Sequence, residues 1–368
     1  MKLPAPKVAV VVIVGVVAAG LGVAVVAATP GSEPADPGYC SAPGSRASQV
    51  KQYVADGYKD PEDTSKALQK AIDDAASDGG AIVQLPEGIF TLDRPLVLKN
   101  NVALKGQGAS TVLKAGPGFL AGKGPFGGHP LITTNGANNV TIAQLTADQS
   151  GNELNGNTSG RLTEYLVDVR HSTNALVEGV RTRNPFTYSL AVVASSNFCV
   201  RNNDTLAASS GTYDQLDGIH ITDSHGGMVE GNTIDQGQGA DGDDGLVAQS
   251  IGAAVHDVTY KNNTVRGGPH GSGMQLAVGK FEIYNITVTG NKFQGSPNGI
   301  QTGYYDGKAA VHDVGIAGNT FTDMPGPWLD FHGDLRNIKV TDNTHCRTGT
   351  LQLGNGSGNV DSNNREAC

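Results

Sequence analysis

The chain repeats itself, and the repeat decides what it can become. Val200-Arg201-Asn202-Asn203, Val229-Glu230-Gly231-Asn232, Tyr260-Lys261-Asn262-Asn263, Val288-Thr289-Gly290-Asn291, Ile316-Ala317-Gly318-Asn319 and Val340-Thr341-Asp342-Asn343 each close a run of alternating apolar residues. The closing asparagines lie 29, 31, 28, 28 and 24 residues apart. An apolar residue follows shortly (Leu206, Ile234, Val265, Phe293, Phe321). A second pattern comes later in each unit: Asp217-Gly218-Ile219, Asp244-Gly245-Leu246, Ser272-Gly273-Met274 and Asn298-Gly299-Ile300, with weaker forms at Pro327-Trp328-Leu329 and Gly349-Thr350-Leu351. Two short strands per unit at this period read as one coil of a β-solenoid. No coil buries its inner face alone, so neighbouring coils stack into one core. Period-2 alternation points Ile219 and Ile221 inward and His220 and Thr222 outward. The asparagines are expected to form a side-chain ladder inside the turn.

Composition agrees with many short strands and tight turns. Of 368 residues 51 are glycine, aromatics make up 5% and charged residues 17%. One elongated all-β body over 59–368 is expected rather than two globular domains. Lys2 and Lys7 precede an uncharged apolar run from Val8 to Ala28, with the small residues Val26-Ala27-Ala28 before Thr29-Pro30. That pattern reads as a signal peptide over 1–28, though the run is long enough for an uncleaved anchor. Residues 29–58 read as a linker. Export places the four cysteines in an oxidising compartment. Cys346 with Cys368 is the favoured pair, as a staple on the C-terminal end. The formal charge is −9, and without 1–28 the balance is 24 bases against 35 acids. This disfavours nucleic acid, whose phosphates need clustered Lys and Arg. A capped solenoid needs no obligatory partner, so a monomer is expected, touching a membrane only through its N-terminus.

The N-terminal end reads as the cap. Asp63-Thr64 precede a helical pattern with Ala67, Leu68, Ala71, Ile72 and Ala75 on one face, ended by Gly79-Gly80. Strands are expected at Ala81–Leu85, Gly88–Leu92, Pro95–Leu98 and Val102–Leu104. The stretch from Asp63 to Ala75, with Gly79-Gly80-Ala81, Pro86-Glu87-Gly88 and Gly106-Gln107-Gly108, resembles the entry of the pectate-lyase-like superfamily. The resemblance implies a single-stranded right-handed parallel β-helix, with the helix as N-terminal cap and binding on one lateral face.

Carboxylates gather where the second strand of successive coils begins. Asp217 and Asp244 stand 27 residues apart, about one coil, and Asp243 precedes Asp244. Adjacent rungs are about 4.8 Å apart, so the three cannot all ionise freely and at least one is pushed up. One acid and one base at a glycosidic bond require that asymmetry. Asp-Gly pairs also mark turns; matched positions on consecutive coils raise these above that reading. A calcium loop at Asp241, Asp243 and Asp244 is a further reading, but no Glu completes an EF-hand spacing. Hydrolysis needs no cofactor and none is expected.

Asn184-Pro185-Phe186, Leu216-Asp217-Gly218-Ile219 and Gly242-Asp243-Asp244-Gly245-Leu246 resemble the polygalacturonase-type glycoside hydrolases of family 28. The resemblance implies inverting hydrolysis, with Asp243 as general acid and Asp217 and Asp244 activating water from the other side. Two family motifs are altered. Ser272 stands where the family has a histidine, with His270 two residues earlier, and Gln301-Thr302-Gly303 stands where the family has Arg and Lys. Those cations meet a uronate carboxylate in the family, so a neutral or weakly charged glycan is expected here.

Downstream, Gln275, Gln301, Tyr304, Tyr305, Trp328, Asp330, His332 and Gln352 fall on or near the outward side of successive second strands. Amides and aromatic rings suit sugar hydroxyls and C–H faces. With His270 and Ser272, all of these but Gln352 form the expected substrate-binding set. His220 and His332 read as solvated rather than catalytic. His129, His225, His256 and His312 read as turn residues. Glu164, Asp168, Arg170 and Tyr188 are candidates for the other wall of the cleft, with the loop Gln149–Arg161 beside them. Two other functions compete. A polysaccharide lyase or uronate C5-epimerase would want a cation near the reacting carbon. A non-catalytic glycan-binding β-helix would tolerate loss of the carboxylates.

Overall fold

The computed structural model describes residues 40, 50–52, 60–120, 130–151, 165–207, 216–237 and 242–368. The expected leader at 1–28, most of 29–58, His129, Glu164, Asp241 and all but the first residues of the Gln149–Arg161 loop lie outside them. The described chain winds as a right-handed parallel β-helix whose three sheets have 12, 10 and 11 strands. Each coil therefore has three strands rather than two. The third is three residues long, as in Thr233–Asp235, Thr264–Arg266 and Lys292–Gln294. Its single inward residue is the apolar one that follows each asparagine: Ile234, Val265 and Phe293 are each 1% exposed. One residue carries no period, so alternation could not announce that strand.

The asparagine ladder is present. The Asn263 side-chain amide donates to Asn291 Oδ1 and to the Val229 carbonyl, each at 2.9 Å, while its own Oδ1 accepts from Asn232. The same pattern links Asn203, Asn232, Asn263, Asn291, Asn319, Asn343 and Asn364. The residue before each of the first six is Asn202, Gly231, Asn262, Gly290, Gly318 or Asp342, all with φ between 54° and 67°. Only Gly, Asn and Asp enter that left-handed region cheaply, which explains the repeat's restricted alphabet.

The Asp-Gly repeat has a different cause. A Cβ on Gly218 would lie 2.5 Å from the Gly245 carbonyl oxygen, and one on Gly273 would lie 3.0 Å from that of Gly299. These glycines stack coil on coil against Ile234, Val265 and Phe293 with no room for a side chain. Close packing, rather than turn geometry, demands them.

The capping helix runs from Pro61 to Ser77. It starts earlier than Asp63-Thr64 because Pro61 suits the first turn and Asp60 caps it, accepting from the Asp63 N–H at 2.8 Å. Leu68, Ile72 and Ala75 are fully buried. Gln69 on this helix bonds both the N–H and the C=O of Val97, in the last strand of the 10-stranded sheet. An edge that would otherwise recruit another chain is thereby closed.

The stretch 29–58 is not wholly a linker. Cys40 is bonded to Cys199, and Val50–Gln52 pairs with Ile82–Gln84 as the edge of the 12-stranded sheet. The expected Cys346–Cys368 bond closes the other end. His225, His256 and His312 lie on strands rather than turns. With Tyr284 they stack in a column on the outer face of the 12-stranded sheet, ring centroids 4.7–5.0 Å apart.

Candidate functional site

The 10-stranded sheet builds the site. Strands Ile219–Thr222 and Leu246–Ser250 are neighbours in it, with Ile219 opposite Leu246. Asp217 and Asp244 each stand two residues before those partners, so they occupy equivalent places one rung apart, and Asp243 enters from the preceding loop. One carboxylate oxygen from each of the three falls within 4.8 Å of the others. Asp217 is 3% and Asp244 5% exposed, while Asp243 is half-buried.

Backbone N–H groups of the next rung aim these carboxylates. Asp217 Oδ1 accepts from the Asp244 N–H at 3.1 Å, and Asp244 Oδ1 accepts from the Ser272 N–H at 2.6 Å. The Gln236 side-chain amide, beneath them, donates to the Leu216 carbonyl and, at 3.3 Å, to that of Asp244. Burial pushes the Asp217 carboxyl well above the usual range and the negative Asp243 adds to it, against the Asp244 N–H bond. Burial likewise raises Asp244, followed by the charges of Asp217 and Asp243.

This has a consequence for stability. A carboxyl whose folded value lies above its unfolded one favours the fold at acid pH and loses that contribution as pH rises through the raised value. Asp244→Asn should therefore melt above the wild type at neutral pH. The two curves should close up as the pH falls toward the ordinary value of 3.8, measured as melting temperature against pH.

His220, read from the sequence as solvated, is 2% exposed and belongs to the site. Its Nδ1 lies 2.6 Å from Asp217 Oδ2 and its Nε2 2.9 Å from Gln249 Oε1. Its ring stacks on Tyr188 at 4.2 Å, and Tyr188 on Tyr165 at 4.8 Å. Burial pushes the imidazole down to about 4 and also raises the Tyr188 phenol. His220 and Gln249 were missed although alternation had placed His220 outward, three residues after Asp217. Upstream, Asp168 and Arg170 pair at 2.9 Å, with the Arg170 guanidinium over the Tyr165 ring.

Strand register aligns Asp168, Ala191, His220, Val247, Gln275, Gln301, Asp330 and Gln352 in one outward row. Gln275 is nearly covered by Tyr305, whose hydroxyl donates to Gln275 Oε1 at 2.8 Å. The Tyr305 residue itself is 60% exposed. Gln301 is half-buried and accepts from Asn298. Further along, Asp330 and His332 lie 3.8 Å apart, and the Tyr304 hydroxyl bonds the His332 carbonyl. His270 is exposed beside the loop that leads into Asp243, its N–H on the Gly242 carbonyl.

Two expected substrate contacts are corrected. The Ser272 hydroxyl is fully buried with no partner, so this residue contributes its N–H to Asp244 and not its side chain to a sugar. Trp328 is 2% exposed and packs on Phe321 and His345, ring centroids 5.0 and 5.4 Å away. It is a core residue. Trp328→Ala is expected to cost about 3–5 kcal/mol of stability in denaturant unfolding, with turnover by the folded fraction unchanged.

Among solved structures the fold is shared widely. The polygalacturonase of Erwinia carotovora ssp. carotovora superposes with a TM-score of 0.65 at 18% identity, over 86% of this chain and 96% of that one. Endo-xylogalacturonan hydrolase from Aspergillus tubingensis gives 0.60 at 18%, over 87% and 95%. The mannuronan C-5 epimerase A-module of Azotobacter vinelandii gives 0.53 at 17%, over 82% and 91%. At such identities the likeness is one of fold. No curated protein sequence matches the chain. The sequence profile of one family does match, over residues 48–320, from just before the edge strand at Val50 through nine further strands of the 12-stranded sheet. By that match the chain belongs to the rhamnogalacturonase A/epimerase, pectate lyase-like family.

Proposed function

We propose that this protein is an exported inverting glycoside hydrolase acting on a neutral or weakly charged glycan at Asp217, Asp243 and Asp244. The observation that carries the reading is the convergence of three carboxyls, two of them buried, where successive coils stack in the 10-stranded sheet. Asp243, the most exposed, is placed to protonate the leaving sugar oxygen. Asp217 and Asp244 hold the attacking water. Two hydrogen bonds of about 2.7 Å from one water reach oxygens up to about 5 Å apart, and the separation here allows it. The water oxygen bonds to the anomeric carbon as its proton passes to the base, and the glycosidic C–O bond breaks as Asp243 gives up its proton.

The downstream rungs support the substrate class. They offer the Gln301 amide and the exposed Tyr305 ring, whose hydroxyl is held by the buried Gln275 amide, and Gly303 stands where the resemblance would need a cation. The polygalacturonase and xylogalacturonan hydrolase of the same fold support glycan hydrolysis in general, and export agrees with the paired cysteines.

The test is product release from a panel of neutral and uronate polysaccharides, followed by reducing ends and by ultraviolet absorbance. Reducing ends from a neutral glycan without absorbance are expected. Absorbance from a uronate polymer would make the protein a lyase, and a uronate polymer epimerised without cleavage would make it an epimerase. Glycan binding with no product, unaltered by Asp→Asn changes, would make it a binding solenoid.

A further inference from the structure

Three carboxyls and one imidazole share this site, and their hydrogen bonds restrict where the protons sit. With the Gln249 amide oriented as it is, Oε1, an atom that only accepts, faces His220 Nε2, so Nε2 carries a hydrogen; the reversed amide would put that hydrogen on Nδ1 and leave Asp217 ionised. Nδ1 faces Asp217 Oδ2 at 2.6 Å, and two lone pairs cannot meet at that distance, so one proton lies between them. It resides on the imidazole, making an imidazolium–carboxylate pair, or on Asp217, making a neutral pair.

We infer that His220 is a positioning residue that holds Asp217 in its protonated form, leaving Asp244 as the carboxylate that takes the proton from water. The inference rests on the hydrolase reading above. Two features of the surroundings favour the neutral pair. His220 is 2% and Asp217 3% exposed, and the ring is roofed by the flat face of Tyr188, so little water is available to solvate an ion pair. Asp217 also has Asp243 and Asp244 as its neighbours, so a proton on Asp217 keeps a second negative charge from standing beside the Asp244 carboxylate in one small volume. The groups facing His220 are Asp217, Gln249 and Tyr188, with Asp243 acting on it at longer range.

The bonding then separates the two carboxyls assigned to the water side. Asp217 is occupied at both oxygens, by its own proton toward His220 and by the Asp244 N–H. It orients the water and begins and ends turnover protonated. Asp244 receives the Ser272 N–H at 2.6 Å, shorter than the 3.1 Å bond that Asp217 receives, and this bond opposes the burial that raises the Asp244 carboxyl. During hydrolysis the water proton goes to Asp244, the Asp243 proton goes to the leaving oxygen, and exchange with solvent resets both.

A two-bond proton–nitrogen correlation spectrum of the ¹⁵N-labelled secreted protein reads the His220 tautomer without any substrate. The expected result is one neutral ring, with pyrrole-type Nε2 and pyridine-type Nδ1, unchanged between about pH 5 and 8. Asp217→Asn should keep that tautomer, because its amide N–H replaces the acid proton as donor to Nδ1. Pyrrole-type Nδ1 with pyridine-type Nε2, protonated-type shifts at both ring nitrogens, or loss of the tautomer in Asp217→Asn, would overturn the inference. Either result would leave hydrolysis itself standing. Absence of hydrolysis would instead remove the functional reading while leaving the tautomer as measured.

Discussion

Asp243→Asn should reduce turnover by about 10²- to 10⁴-fold while the protein folds as before. Asparagine matches the carboxyl in shape but has no acidic proton to give the leaving oxygen. Asp243 is half-buried and sits at the end of a loop rather than inside a strand, so replacing it disturbs no ladder. KM should change little, because the proposed sugar contacts on Gln301 and Tyr305 remain and only an interaction made in the transition state is lost. Reducing ends released per enzyme per second, with circular dichroism as the fold control, measure it. A variant that keeps the wild-type rate would place the acid elsewhere.

The second large effect is on the fold. Asn263→Ala should destabilise the protein by about 3–5 kcal/mol, since buried polar groups left unpaired cost about 1–3 kcal/mol each. Asn263 is fully buried, and its loss strands the Asn232 N–H and takes a donor from the Val229 carbonyl and from Asn291. The asparagines above and below cannot move in to compensate, because each is held by its own coil. Urea unfolding reads the difference. Lys261→Ala, on the same coil but carrying a Glu230 ion pair on the outer face, should cost under about 1 kcal/mol. Equal costs for the two variants would mean that the ladder contributes no more than surface charge does.

Much of this was legible in the chain, for reasons that can be named. The Asn ladder and the Asp217–Asp244 register were readable because each recurs once per coil, and a solenoid converts a sequence interval into a rung. Cys346–Cys368 was readable as a terminal staple. The third strand was not, because it contributes one inward residue per coil. Trp328 misled because it falls in the column that Gly299, Gly273, Gly245 and Gly218 occupy on earlier coils. There the next coil leaves no room for a Cβ. Near the last coils that crowding ends, and the indole fills the space against Phe321. His220 misled in the opposite direction: its outward direction was read correctly, but an outward residue is exposed only if nothing covers it. Tyr188, from the preceding rung, does. The role of Ser272 lay in its N–H, and a backbone group leaves no trace in residue identity.

The configuration of the first sugar released, followed by proton nuclear magnetic resonance within seconds of mixing enzyme and the glycan it cleaves, tests the proposed roles of Asp217, Asp243 and Asp244 most directly. Water held by Asp217 and Asp244 and attacking opposite the Asp243-protonated leaving group gives inversion at the anomeric carbon. The close approach of the carboxylates makes this a sharp test, since separations near 5–5.5 Å generally accompany retention through a covalent intermediate. An inverted product would support the proposed water-side arrangement. A retained one would contradict it and make one of the three aspartates a nucleophile.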